Sequence, residues 1–233
     1  MSNKIYAAKI IILPAIFLVC LSLNANISAS EDALETIFYD ISPLGYSKYQ
    51  DLGLVEIDSA KANLIVFKTR VAGFEDTEKI YSDPDTCLPI KVERFVSMWF
   101  SKEYLIEEYD SRKNKLVITK FEGGKKTKEY LFHGSGPIHN AILLPFSLRK
   151  VPKLEVGWSY NIRLPEEFKV QITSLEDVTV PAGKFKAYHF TSVPPKFEIW
   201  VSNDDLRLPV KIKGLGGFSY TLSMKNHSLR QKK

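Results

Sequence analysis

Residues 82–92 read S-D-P-D-T-C-L-P-I-K-V, and residues 202–212 read S-N-D-D-L-R-L-P-V-K-I, 120 positions later. Each copy sets a polar turn before a Leu-Pro step and then an alternating strand. Asp and Asn fold back onto turn amides, and proline suits a first strand position or an edge, where no ladder donor is needed. The phrase therefore describes one β-hairpin used twice. Outward from it the same period of two continues. Tyr160, Ile162 and Leu164 alternate with Asn161 and Arg163, and Phe168, Val170 and Ile172 alternate with Lys169, Gln171 and Thr173. Phe218, Tyr220, Leu222 and Met224 alternate with small or polar residues. Such strands bury one face and wet the other, which points to antiparallel pairing, because buried parallel strands read as continuous apolar runs.

Turn residues punctuate the strands. Glu122-Gly123-Gly124-Lys125 is a hairpin tip between Lys115–Phe121 and Lys128–Phe132. Pro181-Ala182-Gly183, Pro194-Pro195 and Gly214–Gly217 separate the later strands. The segment from Pro137 to Lys150 departs from the period. Ile138, Ala141, Ile142 and Phe146 recur at helical spacing, while Pro145 is expected to kink or end the first part. The expectation is mainly β: one strongly curved antiparallel sheet, a half-barrel or open barrel, with one short helix against its concave face. A second, weak helix is expected over Glu31–Thr36.

The N-terminus reads as an export signal. Lys4 and Lys9 precede a fourteen-residue, largely apolar run from Ile10 to Leu23, and small polar residues follow. A spanning helix needs about 20 apolar residues, so a cleaved signal over 1–30 is favoured above an uncleaved anchor. Cys20 lies inside the apolar core and follows Val19, which disfavours a lipid-modified N-terminus. The expected organisation is a signal peptide over 1–30, a curved β domain over 31–226, and a basic, disordered tail over 227–233. The expected location is periplasmic, and no later stretch is apolar enough to cross a bilayer.

Loss of residues 1–30 would lower the formal charge from +5 to +3. That mild value excludes a case for nucleic-acid binding, which needs a clustered basic face. Cys87 would remain as a single cysteine, so stability must come from the core rather than an internal disulfide. About 200 residues can bury roughly 70% of their unfolded surface.

Chemistry-bearing motifs are sparse. Ser135 lies between Gly134 and Gly136, bracketed by His133 and His139, but the spacing of a nucleophile elbow is absent. No zinc or calcium signature occurs, and Asp83, Asp85, Asp204 and Asp205 are accounted for by turns. Glu107, Glu108 and Asp110 are expected on the polar side of a hairpin. Neither catalytic, cofactor-binding nor metal-binding residues are assigned, and no enzyme activity is expected. The aromatic content (three Trp, fourteen Phe and eleven Tyr) is the remaining signal. On a concave sheet, apolar side chains can line a cavity. Ile142, Phe146, Arg149 and Trp200 are the candidate ligand-binding residues, with Arg149 facing either an acidic headgroup or an acidic neighbour.

In the order Tyr39–Gly45, Ser82–Pro89, Ser147–Arg149, Val156-Gly157, Val178–Phe185 and Ile199–Val210, the chain resembles an exported bacterial β-protein family catalogued as a domain of unknown function. The resemblance spans about residues 35 to 225. It implies an envelope protein with a strongly bent antiparallel sheet, similar at a distance to the periplasmic lipoprotein-carrier fold, in which helices close a half-barrel around an acyl-binding hollow. No activity and no catalytic residues come with it. The functional expectation is non-enzymatic carriage of an apolar ligand such as a lipid or a lipoprotein acyl chain. The alternative is a structural module that binds another envelope protein.

Overall fold

The computed structural model describes residues 33–42, 44–215 and 220–230. The expected signal segment 1–30 and the Gly216–Phe218 approach to the last strand lie outside them. Fourteen antiparallel strands form one sheet: β1 (Glu35–Ile41), β2 (Gly45–Ile57), β3 (Ala60–Val71), β4 (Phe74–Ser82), β5 (Pro89–Met98), β6 (Ser101–Asp110), β7 (Lys115–Glu122), β8 (Lys125–His133), β9 (Ser159–Leu164), β10 (Glu166–Val180), β11 (Gly183–Val193), β12 (Glu198–Ser202), β13 (Pro209–Lys213) and β14 (Thr221–Leu229). The order is β8-β7-β6-β5-β4-β3-β2-β1-β14-β13-β12-β11-β10-β9. Two meanders thus meet where β1 pairs β14, from Glu35 opposite Leu229 to Ile41 opposite Leu222.

The sheet is open, yet it curls. Laid flat, fourteen strands at ~4.8 Å spacing would hold their edges roughly 60 Å apart. Instead Ser135, two residues past edge strand β8, donates its hydroxyl to Glu167 of β10 at 2.9 Å, next to the opposite edge. The inner face is the core. Tyr39, Ile65, Ile80, Val92, Val170, Phe190, Ile199, Val210 and Met224 are all essentially inaccessible.

The hairpin tip at Gly123-Gly124 has positive φ at both residues (57° and 77°), as a tight turn between twisted strands requires. In the repeated phrase, Cys87 (φ 58°) and Arg207 (φ 48°) are both left-handed, two residues before the strand proline. The copies also share a register shift just ahead of the turn, at Tyr81/Ser82 and at Trp200/Val201.

Three expectations need correction. Glu35 and Thr36 belong to β1 rather than a helix, because their neighbours Ile37, Tyr39 and Ile41 bury one face at period two. β14 continues to Leu229, so residues 227–229 are in the sheet rather than in a tail from 227. The helix α1 covers only Leu144–Leu148, with Pro145 in its first turn. Proline there starts the helix, because the missing N–H lies where no intrahelical acceptor exists. Pro137–Ala141 is non-helical.

Candidate functional site: an apolar hollow under the crossover

The 134–158 connection crosses the mouth of the curled sheet. Asn140 starts its turn: the side-chain oxygen accepts from the amides of Ile142 (2.9 Å) and Leu143 (3.1 Å), and its carbonyl accepts from Leu144 (3.1 Å). Leu144, Pro145, Phe146 and Leu148 of α1 are buried. Phe146 lies flat on Tyr49 of β2, with ring centroids 3.7 Å apart.

The two repeated turns hold the far end of this crossover. Arg207 donates to the carbonyls of Arg149 (3.2 Å), Val151 and Pro152 (3.1 Å). From the other turn, the Pro84 carbonyl accepts from Lys150 Nζ at 3.2 Å. Each turn is itself braced by an aspartate. Asp83 accepts from the amides of Asp85 and Thr86, and Asp204 from those of Leu206 and Arg207.

Between the crossover and the inner sheet face lies a hollow of about 430 Å³. Leu88, Leu144, Leu148, Trp158, Ile162 and Val170 form most of its wall, and Cys87 and His139 add polar points. This volume falls in the range of small-ligand sites. His139 Nδ1 is buried with no hydrogen-bond partner among the described residues, and burial pushes its pKa below the ordinary histidine value. Ser135 and His139 also line an adjoining hollow of about 410 Å³, but the serine hydroxyl is committed to Glu167. His133 stands exposed at the end of β8, so the three groups form no catalytic constellation.

Of the four candidate residues, Phe146 and Arg149 share one hollow of about 380 Å³ with Tyr49 and Glu35, while Ile142 and Trp200 lie elsewhere. Phe146 is in the crossover but turned onto Tyr49, away from the 430 Å³ hollow. Ile142 lines a different, smaller hollow of about 170 Å³. Arg149 meets an acidic neighbour: its guanidinium donates to both oxygens of Glu35, at 2.8 and 3.0 Å, and to the Leu206 carbonyl. Burial alone would raise the Glu35 pKa; hydrogen bonds from His227 and Arg149 outweigh it and hold the carboxylate below its ordinary range. Trp200 points to the other face of the sheet from Ile199 and Val201. There it stacks on His189 (4.3 Å), lies under the Lys211 ammonium (4.7 Å) and donates to Glu176 (2.7 Å).

The 170 Å³ hollow contains what residue patterns alone did not single out. Asp76, Glu78, Arg94, Glu107 and Tyr109 share it with Phe67, Leu116 and Ile118. Arg94 pairs with Asp76 (2.5 Å) and more loosely with Glu78 (3.6 Å), and Tyr109 donates to Glu107 at 2.5 Å. Burial, helped by Asp76 and Glu107 and opposed by Arg94, pushes Glu78 up to about 8; burial also raises Glu107. Glu107 is therefore not on a hairpin's polar side as expected, whereas Glu108 is exposed. The signal was available: Asp76 and Glu78 are in phase with buried Ile80, and Arg94 with buried Val92. Among the described residues no group of His, Cys, Asp and Glu is arranged to hold a metal ion, and no helix is long and apolar enough to cross a membrane.

The family model described as Protein of unknown function (DUF3108) matches residues 55–223, and the chain belongs to that family. No curated protein matches it. Among solved structures it is similar to a beta-barrel-like protein of the domain of unknown function DUF1849 from Brucella abortus. That likeness has a TM-score of 0.50 and 9% identity, and it covers 85% of this chain and 98% of the other. At that identity the likeness is one of fold.

Proposed function

We propose that this member of the DUF3108 family is an exported, non-enzymatic binding protein that carries an apolar chain, such as a lipid or lipoprotein acyl group. The observation that carries this reading is the hollow of about 430 Å³ between the crossover and the inner sheet face, walled mainly by Leu, Ile, Val and Trp side chains. An apolar chain entering it leaves water without stripping hydration from many polar groups. The braced repeat turns keep the crossover lifted, so the space is pre-formed. The leader-like 1–30 segment supports a periplasmic location, and the distant resemblance to the lipoprotein-carrier fold, a half-barrel closed by helices around an acyl-binding hollow, favours the same reading. The rival reading, assembly through an exposed sheet edge, has less support. Edge strand β8 is exposed along nearly its whole length and carries Lys125, Lys126 and Lys128, which oppose the addition of another strand.

Lipid extraction and native mass spectrometry of protein purified from its own envelope test the proposal. The expected result is a co-purifying acyl-bearing species in stoichiometric amount. Protein with an intact fold and no bound lipid, before and after incubation with envelope lipids, would remove it.

A further inference from the structure

The turn joining β5 to β6 presents its apolar side chains to solvent. Met98, Trp99 and Phe100 are 47%, 75% and 102% exposed. The tip is held rather than loose: Trp99 has φ 43°, and its amide donates to the Gly73 carbonyl of the neighbouring β3–β4 turn at 3.1 Å. Its indole covers Gly73 so closely that a Cβ there would lie 2.7 Å from Cε2. Behind the tip, on the outer sheet face, Phe95, Tyr104 and Phe121 form one cross-strand aromatic row, with centroids 4.5 and 5.8 Å apart. Lys102, the second residue of β6, and Lys125, at the tip of the β7–β8 hairpin, are exposed and make no ion pair among the described residues.

We infer that this tip is a membrane-surface anchor, and that its partner is an anionic lipid bilayer. Three features favour lipid. A protruding turn cannot bury three large side chains against a rigid flat surface, but it can push them into a fluid one. Indole and phenol rings behind a fully exposed phenyl match the order of polarity from headgroup to acyl region. Ammonium groups without an ion pair beside the tip complement anionic headgroups. The inference is independent of the hollow and stands whether or not an acyl chain is carried.

Co-sedimentation with phosphatidylcholine vesicles, with and without phosphatidylglycerol, tests it. The chain is used as the cell processes it, and the variants carry the same N-terminus. The unaltered protein is expected to partition onto the anionic vesicles, with a blue-shifted tryptophan emission. Trp99→Ser with Phe100→Ser is expected to weaken that partition by at least about tenfold, since two large apolar groups lose their burial. Both residues are exposed, so circular dichroism and the melting temperature should hold. Lys102→Glu with Lys125→Glu is expected to abolish the preference for anionic vesicles while leaving the fold intact. Three results would each overturn the inference. One is no partition of the unaltered protein, and another is equal partition of the Trp99/Phe100 variant. The third is a concentration-dependent dimer that the same variant disperses without any vesicle binding, which would make a second copy of the chain the occupant of the tip.

Discussion

Glu78 keeps its proton at neutral pH because it is buried beside two other carboxylates and only one guanidinium, which Asp76 holds at shorter range. Its folded pKa of about 8 lies above the ordinary 4.5, so the folded state binds the proton more tightly than the unfolded chain. The stability this contributes is complete below the unfolded value and is lost as pH rises through the folded one. The melting temperature should fall by about 3 °C per pH unit between pH 6.5 and 8.5. Glu78→Gln should flatten most of that slope and raise the melting point at the alkaline end, which a calorimetric pH series would read. Glu107, also raised by burial, would account for a residual slope; His139, depressed by burial, acts at lower pH and with the opposite sign. Arg149 makes a second case. Arg149→Ala leaves the buried Glu35 carboxylate with His227 alone and should cost about 3 kcal/mol in chemical denaturation. Adding Glu35→Gln should recover part of that loss. Of the partners the sequence allowed for Arg149 (an acidic headgroup, the helix C-terminal dipole or an acidic neighbour), the acidic neighbour is present as Glu35; residue spacing could not reveal it, because Glu35 is 114 positions away. Trp200 lies away from the 430 Å³ hollow for a simpler reason. Aromatic content says nothing about which face of a strand a ring occupies, and one step of register decides it.

At the scale of elements, the repeated phrase was legible as two hairpins because turn chemistry is local. Its joint purpose was not, since the crossover that both turns hold lies between them in sequence and acts only through tertiary contacts. Arg207 is the stronger clamp, donating to three crossover carbonyls, those of Arg149, Val151 and Pro152. Arg207→Ala should therefore speed amide hydrogen exchange across residues 149–151 by about tenfold or more. A change at Lys150, which makes one exposed contact, should leave exchange there nearly unchanged. The helix was placed correctly but read too long. Apolar residues from Ile138 to Phe146 recur at helical spacing, yet Asn140 draws the chain into a turn with its own side chain and proline fixes the helix start after it. Period-two patterning and turn residues marked β7 to β11, β14 and the repeated β5 and β13, but not β2, β3 or β4. At Glu107 the error lay in assuming that charged residues belong outside.

For the whole molecule, β1 is the seam: it pairs β2 on one side and β14 on the other, joining the two meanders into one sheet with one core. Tyr39 reaches from β1 to the Pro209 carbonyl at 3.0 Å, tying the seam to the second repeated hairpin. Unfolding should therefore be a single cooperative transition, with calorimetric and van't Hoff enthalpies equal, despite the internal repeat. Two transitions would mean the halves fold separately. The curl of this sheet, its crossover and the space between them favour the proposal that the hollow takes an apolar chain. A fluorescent fatty-acyl probe titrated into the unaltered protein and into an Ile162→Trp variant tests it most directly. Saturable binding of one probe per chain is expected, at least about tenfold weaker when the indole fills the hollow. Failure of the probe to bind, or equal affinity in a folded variant, would contradict it.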